Sequence, residues 1–141
     1  MKINKLKIVL DTNVFLVSIS PKFRYYWIYE KLQNGEYDLV VSNEILTEYA
    51  EKINQKFGIS LSDSSLDFML LFPNINLINP YYKWELIENA PDDNKFVDCA
   101  IVGNADYIVT HDKHFNILKN IDFPKVKIIT IDEFYKLLCN Y

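Results

Sequence analysis

Acidic residues of this chain stand where predicted strands end and where a predicted helix begins. Asp11 directly follows the apolar run at residues 8–10. Asp112 lies just beyond the run at residues 107–110, and Asp93 opens a helical segment. In a parallel sheet the carboxyl ends of the strands share one edge, so carboxylates that are distant in the sequence can converge there. Clustered carboxylates repel one another unless a cation neutralises them, and oxygen ligands suit Mg²⁺ or Mn²⁺. These positions therefore predict a metal site at the edge of a sheet.

Each of these acids also has an ordinary structural explanation. Asp is a common helix N-cap after a strand, which would account for Asp11 and Asp112. Asn13 could cap the first helix equally well and leave Asp11 free to face a cleft. At Asp93 the helix dipole favours any carboxylate, and Asp92 competes for the capping position. The residue types alone leave both explanations open.

A further acid is expected on the helix after the second strand, but periodicity does not select it. Glu44, Glu48 and Glu51 lie at i, i+4 and i+7, along one face of that helix. Such a stripe is typical of the solvated face of an amphipathic helix. Asp98 lies five residues after Asp93, about 140° around the next helix, so these two acids need not share a face.

Composition predicts one ordered domain over residues 1–141. The chain is 50% hydrophobic, with 3 glycines and 5 prolines, which leaves little room for a disordered linker. A net charge of −4 does not indicate a nucleic-acid binder, although a carboxylate cluster makes a metal-dependent nuclease acidic in any case. Cys99 and Cys139 form no CxxC pair, which favours a reducing cytoplasm. The sequence contains neither a signal-peptide core nor a membrane span.

The elements that must position these acids alternate between strands and helices. Short apolar runs predict five strands, at residues 7–10, 38–41, 75–78, 107–110 and 126–130. Helices are predicted at residues 13–20, 22–33, 43–57, 61–72, from 92 or 93 to about 102, 115–118 and 132–138. Residues 81–90 are expected to be irregular. This order predicts an α/β fold of three layers, α/β/α, with a central parallel sheet of about five strands.

Four sequence blocks carry the acids: Val-Leu-Asp-Thr-Asn at residues 9–13, Ser-Asn-Glu-Ile-Leu-Thr-Glu at 42–48, Asp-Asp-Asn-Lys-Phe-Val-Asp-Cys-Ala at 92–100, and Ala-Asp-Tyr-Ile-Val-Thr-His-Asp at 105–112. In these blocks the chain resembles the PIN-domain nucleases, especially the VapC-like toxins of prokaryotic toxin–antitoxin systems. The resemblance covers essentially the whole chain, in the same order, and it implies a PIN-like fold.

The resemblance also assigns roles to individual residues. It implies that catalysis and metal binding rest on Asp11, Glu48, Asp93 and Asp112. Glu48 is thereby selected from its stripe. Asp93 is selected because Asp93, Phe96 and Ala100 reproduce the acidic, apolar and small spacing of the family. The loop before Asp112 is one residue longer than in many relatives. Asp92 or Asn94 would therefore match the third acid of the family in place of Asp93 if the alignment were shifted by one residue. Supporting positions around the metal are implied for Asn13, Thr110 and Asp98.

The implied activity is hydrolysis of RNA phosphodiester bonds by an endoribonuclease that depends on Mg²⁺ or Mn²⁺. In such a site the carboxylates hold an ion that activates water for attack on phosphorus. The implied partners are RNA, a small antitoxin protein and a second copy of the chain in a homodimer. A cytoplasmic protein without a membrane partner is expected. A housekeeping RNA-processing PIN nuclease and a catalytically inactive PIN-like binding module are the alternatives.

Three other kinds of site fit the residues less well. A phosphotransferase of the haloacid-dehalogenase type needs Asp-x-Asp after the first strand, and this chain has Asp11-Thr12-Asn13. A receiver-type phosphoacceptor needs an acidic pair there and an Asp after the third strand, which is absent. His111 and His114 lie three residues apart, but a zinc site needs further protein ligands. A contact between one of these histidines and RNA phosphate is expected in preference to zinc binding.

Overall fold

A five-stranded parallel sheet forms the centre of the protein, with the strands in the order β3-β2-β1-β4-β5. The computed structural model describes residues 5–140, except for the side chains of residues 60–63. The strands are β1 Lys7–Leu10, β2 Asp38–Val41, β3 Ile75–Leu77, β4 Tyr107–Val109 and β5 Ile128–Ile129. All four pairings are parallel. The bounds of β1 and β2 agree with the prediction, and β5 is shorter than residues 126–130.

The two central strands consist of apolar residues because helices cover both faces of the sheet. Ile8, Val9 and Leu10 of β1 are at most 1% exposed, and the Leu-Val-Val run of β2 is fully buried. Continuous apolar strands of this kind are characteristic of parallel sheets that are buried on both faces. The three-layer α/β/α fold that the sequence predicts is therefore confirmed.

Within residues 5–140 there are six α-helices: α1 Thr12–Leu16, α2 Trp27–Gln33, α3 Asn43–Phe57, α4 Ile59–Met69, α5 Asn94–Val102 and α6 Ile131–Asn140. Short 3₁₀ helices occupy Pro91–Asp93 and Lys113–Asn120. No helix within residues 5–140 is long and apolar enough to cross a membrane. The bounds of α3 agree with the prediction, since the Ser42 hydroxyl accepts a hydrogen bond from the Ile45 N–H and Gly58 ends the helix at φ 95°.

Three other helices differ from their predicted bounds. The predicted helix 13–20 is only α1, because the Ser18 hydroxyl donates to the Phe15 carbonyl and turns replace the helix. The predicted helix 22–33 begins only at Trp27, after residues that form turns. The predicted helix 61–72 is α4, which starts directly after Gly58 without a side-chain cap, so the expected Ser or Asp cap was wrong.

Two contacts hold the carboxyl edge of the sheet against α1 and α3. The buried Tyr49 hydroxyl of α3 donates to the carbonyl of Leu10, the last residue of β1. The Tyr49 ring also stacks on Phe15 of α1, with the ring centroids 4.2 Å apart and the planes 9° apart. Because Glu48 precedes Tyr49, these contacts fix the part of α3 that carries this acid.

Tyr49→Phe removes the hydroxyl that joins α3 to the end of β1. Because Tyr49 is fully buried, we expect the free energy of unfolding to fall by about 1 kcal/mol, the usual net value of such a bond. Urea denaturation of both proteins measures the difference. Tyr82→Phe is the matched control, since Tyr82 is 63% exposed and its effect should stay within about 0.5 kcal/mol. A Tyr49→Phe protein as stable as the wild type would contradict this role.

Candidate metal centre

Asp11 lies immediately beyond β1 and is buried, with 6% of its surface exposed. Its carboxylate accepts hydrogen bonds from the Thr110 hydroxyl at 2.6 Å and from the Asn13 N–H at 3.4 Å. Asp11 is thus the N-cap of α1, and Asn13, the alternative cap that the sequence offered, lies inside the helix. The contribution of Asn13 to Asp11 is its backbone N–H. Capping does not remove Asp11 from the edge of the sheet, because a carboxylate has room for several donors.

Thr110 joins Asp11 to Asp112. The Thr110 hydroxyl donates to Asp11 and accepts a hydrogen bond from the Asp112 N–H at 3.0 Å. The Asp112 carboxylate in turn accepts from the His114 N–H at 2.9 Å and caps the helix Lys113–Asn120. The capping explanation is therefore correct for Asp112 as well, and Asp112 still lies beside Asp11. Thr110 lies at the carboxyl end of β4, where the resemblance implies a supporting residue.

Asp93 reaches the same place from the start of α5. It follows the 3₁₀ turn and occupies the N-cap position, but its carboxylate caps no backbone N–H. Its Oδ2 atom lies 3.7 Å from His114 Nδ1, and that nitrogen lies 3.0 Å from Asp112 Oδ1. One ligand atom from each of Asp93, Asp112 and His114 lies within 4.8 Å of the others. His114, which the sequence marked only for a phosphate contact, belongs to this cluster.

The neighbours of Asp93 do not share its position. The Asn94 side-chain amide is used to hold the irregular segment before α5, since it accepts from the Ile87 N–H at 2.9 Å and donates to the Ile87 carbonyl at 3.0 Å. The Asp92 carbonyl accepts from Lys95 Nζ at 2.7 Å, and the Asp92 side chain is exposed. The structure therefore brings Asp93, rather than these two residues, to His114 and Asp112.

Glu48 approaches the cluster from α3. Its carboxylate accepts hydrogen bonds from the Thr12 hydroxyl and, at 2.7 Å, from Lys95 Nζ. Its charge also raises the pKa of Asp11, so the two acids interact. Glu44 and Glu51, the other members of the stripe, are exposed. The contacts with α1 and α5 thus separate Glu48 from its two periodic equivalents.

Lys95 is a member of the site that sequence reasoning did not identify. Its side chain is only 14% exposed, and its Nζ atom lies 2.7 Å from Glu48 Oε1. It also lowers the pKa of Asp93. Lys95 is the second residue of α5, and the spacing of the acids does not reveal its role because its partner Glu48 comes from a different helix.

Asp98 is not brought to the acid cluster. It is buried, and its carboxylate accepts a hydrogen bond from the Trp84 N–H at 3.1 Å. The charges that act on it are those of Glu44, Lys83 and Glu85, which line a neighbouring cleft of about 540 Å³. The contacts of Asp98 therefore stabilise the irregular segment before α5 rather than the carboxylates at the edge of the sheet.

The clustered charges are incompletely neutralised. The pKa of Asp93 is raised to about 6, first by burial and then by the charges of Asp112 and Asp11, whose effect exceeds the lowering by His114 and Lys95. Burial also raises the pKa of Asp11, with smaller contributions from Asp112 and Glu48. A group of carboxylates that repel one another, with an imidazole beside them, is a donor set that a divalent cation would fit. Asp11, Asp93 and Asp112 are the residues that could hold such an ion, with Glu48 beside them.

Asp93→Asn removes one charge from this cluster, and we expect it to stabilise the metal-free protein. The folded pKa of about 6 exceeds the ordinary value of 3.8, so the cost of burying this charge beside other acids is fully present above the folded pKa and is lost as the pH falls toward the ordinary value. The free energy of unfolding in chelator should therefore rise by roughly 0.5–2 kcal/mol near pH 7.5 and by much less near pH 4.5.

Two variants test whether charge is the cause. Asp92→Asn is the matched control and should leave the free energy of unfolding unchanged, because the Asp92 side chain is exposed. Lys95→Met should destabilise the protein, since it removes the cation beside Glu48. Equal stabilisation by Asp93→Asn at both pH values would show that repulsion is not its source.

Comparison with known proteins agrees with this architecture. The sequence model of the PIN domain matches residues 7–114. No curated protein matches the chain. Among solved structures, the chain is similar to the VapBC2 complex from Rickettsia felis bound to a promoter DNA fragment, with a TM-score of 0.61 and 20% identity over 89% of this chain and 98% of that one. It is also similar to the DNA-bound VapBC complex from Salmonella typhimurium, with a TM-score of 0.55 and 14% identity over the same shares.

These structural similarities concern the fold, whereas the sequence match concerns the family. The matched residues include β1 to β4 and extend from the strand before Asp11 to His114. Enzymes of this family use divalent metals, in keeping with the acids at the carboxyl edge of the sheet. The chain therefore belongs to the PIN-domain family of nucleases.

Proposed function

We propose that this protein is an endoribonuclease that hydrolyses RNA phosphodiester bonds with Mg²⁺ or Mn²⁺ held by Asp11, Glu48, Asp93 and Asp112, and that it is the toxin of a toxin–antitoxin pair. The observation that carries the proposal is the convergence of these acids from four separate elements. Burial, followed by the charges of Asp112 and Asp11, raises the pKa of Asp93 to about 6, so these acids lie close enough to repel one another. Acids that the fold brings together despite their repulsion, at the positions where PIN-domain nucleases carry theirs, are typical of a functional site.

The residues of the chain would prepare the site in distinct ways. A divalent ion, when bound, supplies activation of water and neutralises charge on the phosphate. Thr110 orients Asp11 through a hydrogen bond of 2.6 Å, and Asn13 limits its rotation from the other side. Lys95 and Thr12 orient Glu48. This network holds the carboxylates in place before substrate arrives.

Nucleophilic catalysis by cysteine is not part of the proposal. Cys99 is fully buried in α5, and burial raises the pKa of its thiol to about 12. A thiol with such a pKa is almost entirely protonated at neutral pH, and the thiolate is the nucleophile. The proposed reaction is therefore direct hydrolysis by water, without a covalent intermediate.

The proposed partners rest on the fold and on the resemblance. The similar structures from Rickettsia felis and Salmonella typhimurium are VapBC complexes, which supports a small antitoxin as a partner of this chain. RNA as the substrate, a homodimer as the assembly and the cytoplasm as the location follow from the resemblance to VapC-like toxins. Asp98 is retained in the proposal only as a supporting residue that acts through Trp84 and α5.

Asp11→Asn should abolish metal-dependent RNA cleavage without unfolding the protein. Asn caps a helix as well as Asp does, so α1 should keep its start. We expect the cleavage rate with Mn²⁺ or Mg²⁺ to fall by about 10²–10³-fold, the usual scale for a key electrostatic group. Cleavage of total RNA in metal and in chelator measures the effect, and circular dichroism verifies the fold. Asp67→Asn is the control, since Asp67 is exposed on α4.

Full activity of a folded Asp11→Asn protein would contradict the proposed metal site. Absence of cleavage by the wild type on any RNA, together with absence of Mn²⁺ binding, would favour an inactive binding module instead.

Expression in a bacterial host tests the toxin assignment separately. The wild type should arrest growth, Asp11→Asn should not, and co-expression of a small protein encoded beside this gene should restore growth. An active nuclease that neither arrests growth nor binds such a neighbour would indicate a housekeeping enzyme.

A further inference from the structure

We propose that the imidazole of His114 is a nitrogen ligand of the ion at the acid cluster, and that it makes the site select Mn²⁺ over Mg²⁺. This inference rests on the proposed function, because it concerns the same metal. It goes further in naming a ligand outside the four acids and in predicting which ion the protein prefers.

The distances around His114 suit joint coordination. Its Nδ1 atom lies 3.0 Å from Asp112 Oδ1 and 3.7 Å from Asp93 Oδ2. Atoms at adjacent corners of an octahedron, each about 2.1 Å from the ion, lie about 3 Å apart. The three potential ligand atoms lie within 4.8 Å of one another, so small side-chain rotations would place them around one ion.

The backbone turn after Asp112 positions this imidazole at the cluster. His114 stands two residues after Asp112, and its N–H is the donor to the capping carboxylate at 2.9 Å. The same turn directs the ring toward the Asp112 oxygen. His111 provides the contrast, since its Nε2 atom accepts from the Ile131 N–H at 3.1 Å and supports the start of α6. Two histidines three residues apart therefore serve different parts of the fold.

His114 is also the residue that pairs with the acids Asp93 and Asp112. Among the described residues, the ion pairs of Asp93 and of Asp112 are both with His114. Lys95 is engaged with Glu48 and with the Asp92 carbonyl. An imidazole beside two carboxylates can act either as a charge partner or as a ligand, and the two roles differ in their dependence on the ion.

The chemistry of the ligands predicts which metal ion gains more from the imidazole. Carboxylate and water ligands suit Mg²⁺ and Mn²⁺ alike, whereas an imidazole nitrogen favours first-row transition ions. Mg²⁺ also gives up its water reluctantly and gains little from nitrogen. A site with two carboxylates and His114 should therefore bind Mn²⁺ more tightly than Mg²⁺. Loss of the imidazole should reduce this difference in affinity between the two ions.

Calorimetric titration of metal-free protein at about pH 8 with Mn²⁺ and, separately, with Mg²⁺ tests the inference. We expect His114→Gln to weaken Mn²⁺ binding by about tenfold or more and Mg²⁺ binding by less than about threefold. His111→Gln is the matched control and should change neither. Pulsed electron paramagnetic resonance of the Mn²⁺-loaded proteins should detect a coordinated nitrogen in the wild type and in His111→Gln, and none in His114→Gln.

The outcomes separate this inference from the proposed function. Equal weakening of both ions by His114→Gln, without nitrogen coupling in the wild type, would overturn the inference and leave His114 a charge partner. If that wild type still cleaves RNA with Mn²⁺, the proposed function stands. Nitrogen coupling without any RNA cleavage would support the ligand and contradict the nuclease. Failure of the wild type to bind Mn²⁺ would overturn both. Because His114 is half-exposed, the variant is expected to fold, and circular dichroism checks this.

Discussion

Parallel pairing of β1 with β4 is the constraint on which the candidate site depends. The register places Leu10 opposite Val109, so the chains leave the sheet side by side. The Asp11 N–H then donates to the Val109 carbonyl at 3.2 Å, which extends the pairing by one residue beyond β1. Thr110 is thereby within reach of the Asp11 carboxylate. A shift of one residue in this register would direct Asp11 or Thr110 to the opposite face and separate them.

Helix capping does not remove an acid from the cluster at this edge. Asp11 and Asp112 each accept a backbone N–H, and at Asp11 this hydrogen bond lowers a pKa that burial raises. Asp93 stands at a helix start but caps nothing, and its pKa rises to about 6. The helix that begins after Asp93 therefore gives its carboxylate no hydrogen bond to offset burial and the charges of Asp112 and Asp11.

Sequence patterns predicted those parts of the structure that local signals determine. The limits of β1 and β2 follow from apolar runs, and those of α3 follow from Ser42 and Gly58. The bounds of α1 and α2 were wrong because turns between them depend on hydrogen bonds that no spacing reveals. Asp11 and Asp112 could be found at strand ends. Glu48 needed the resemblance, since its distinction from Glu44 and Glu51 is a contact with Thr12 and Lys95, which come from other helices.

The cluster has two halves with different electrostatic character. On one side Glu48 is paired with Lys95 at 2.7 Å and with the Thr12 hydroxyl, so the protein itself supplies a positive charge there. On the other side the ion-pair partner of Asp93 and Asp112 among residues 5–140 is the half-exposed His114. Asp11 lies between them, because the charges of both Glu48 and Asp112 raise its pKa. Since Lys95 already compensates Glu48, the negative charge that remains without a fixed cation is concentrated beside Asp93, Asp112 and Asp11. An incoming divalent ion would therefore gain most from Asp93, Asp112 and Asp11, with Glu48 at the side of the site that Lys95 occupies.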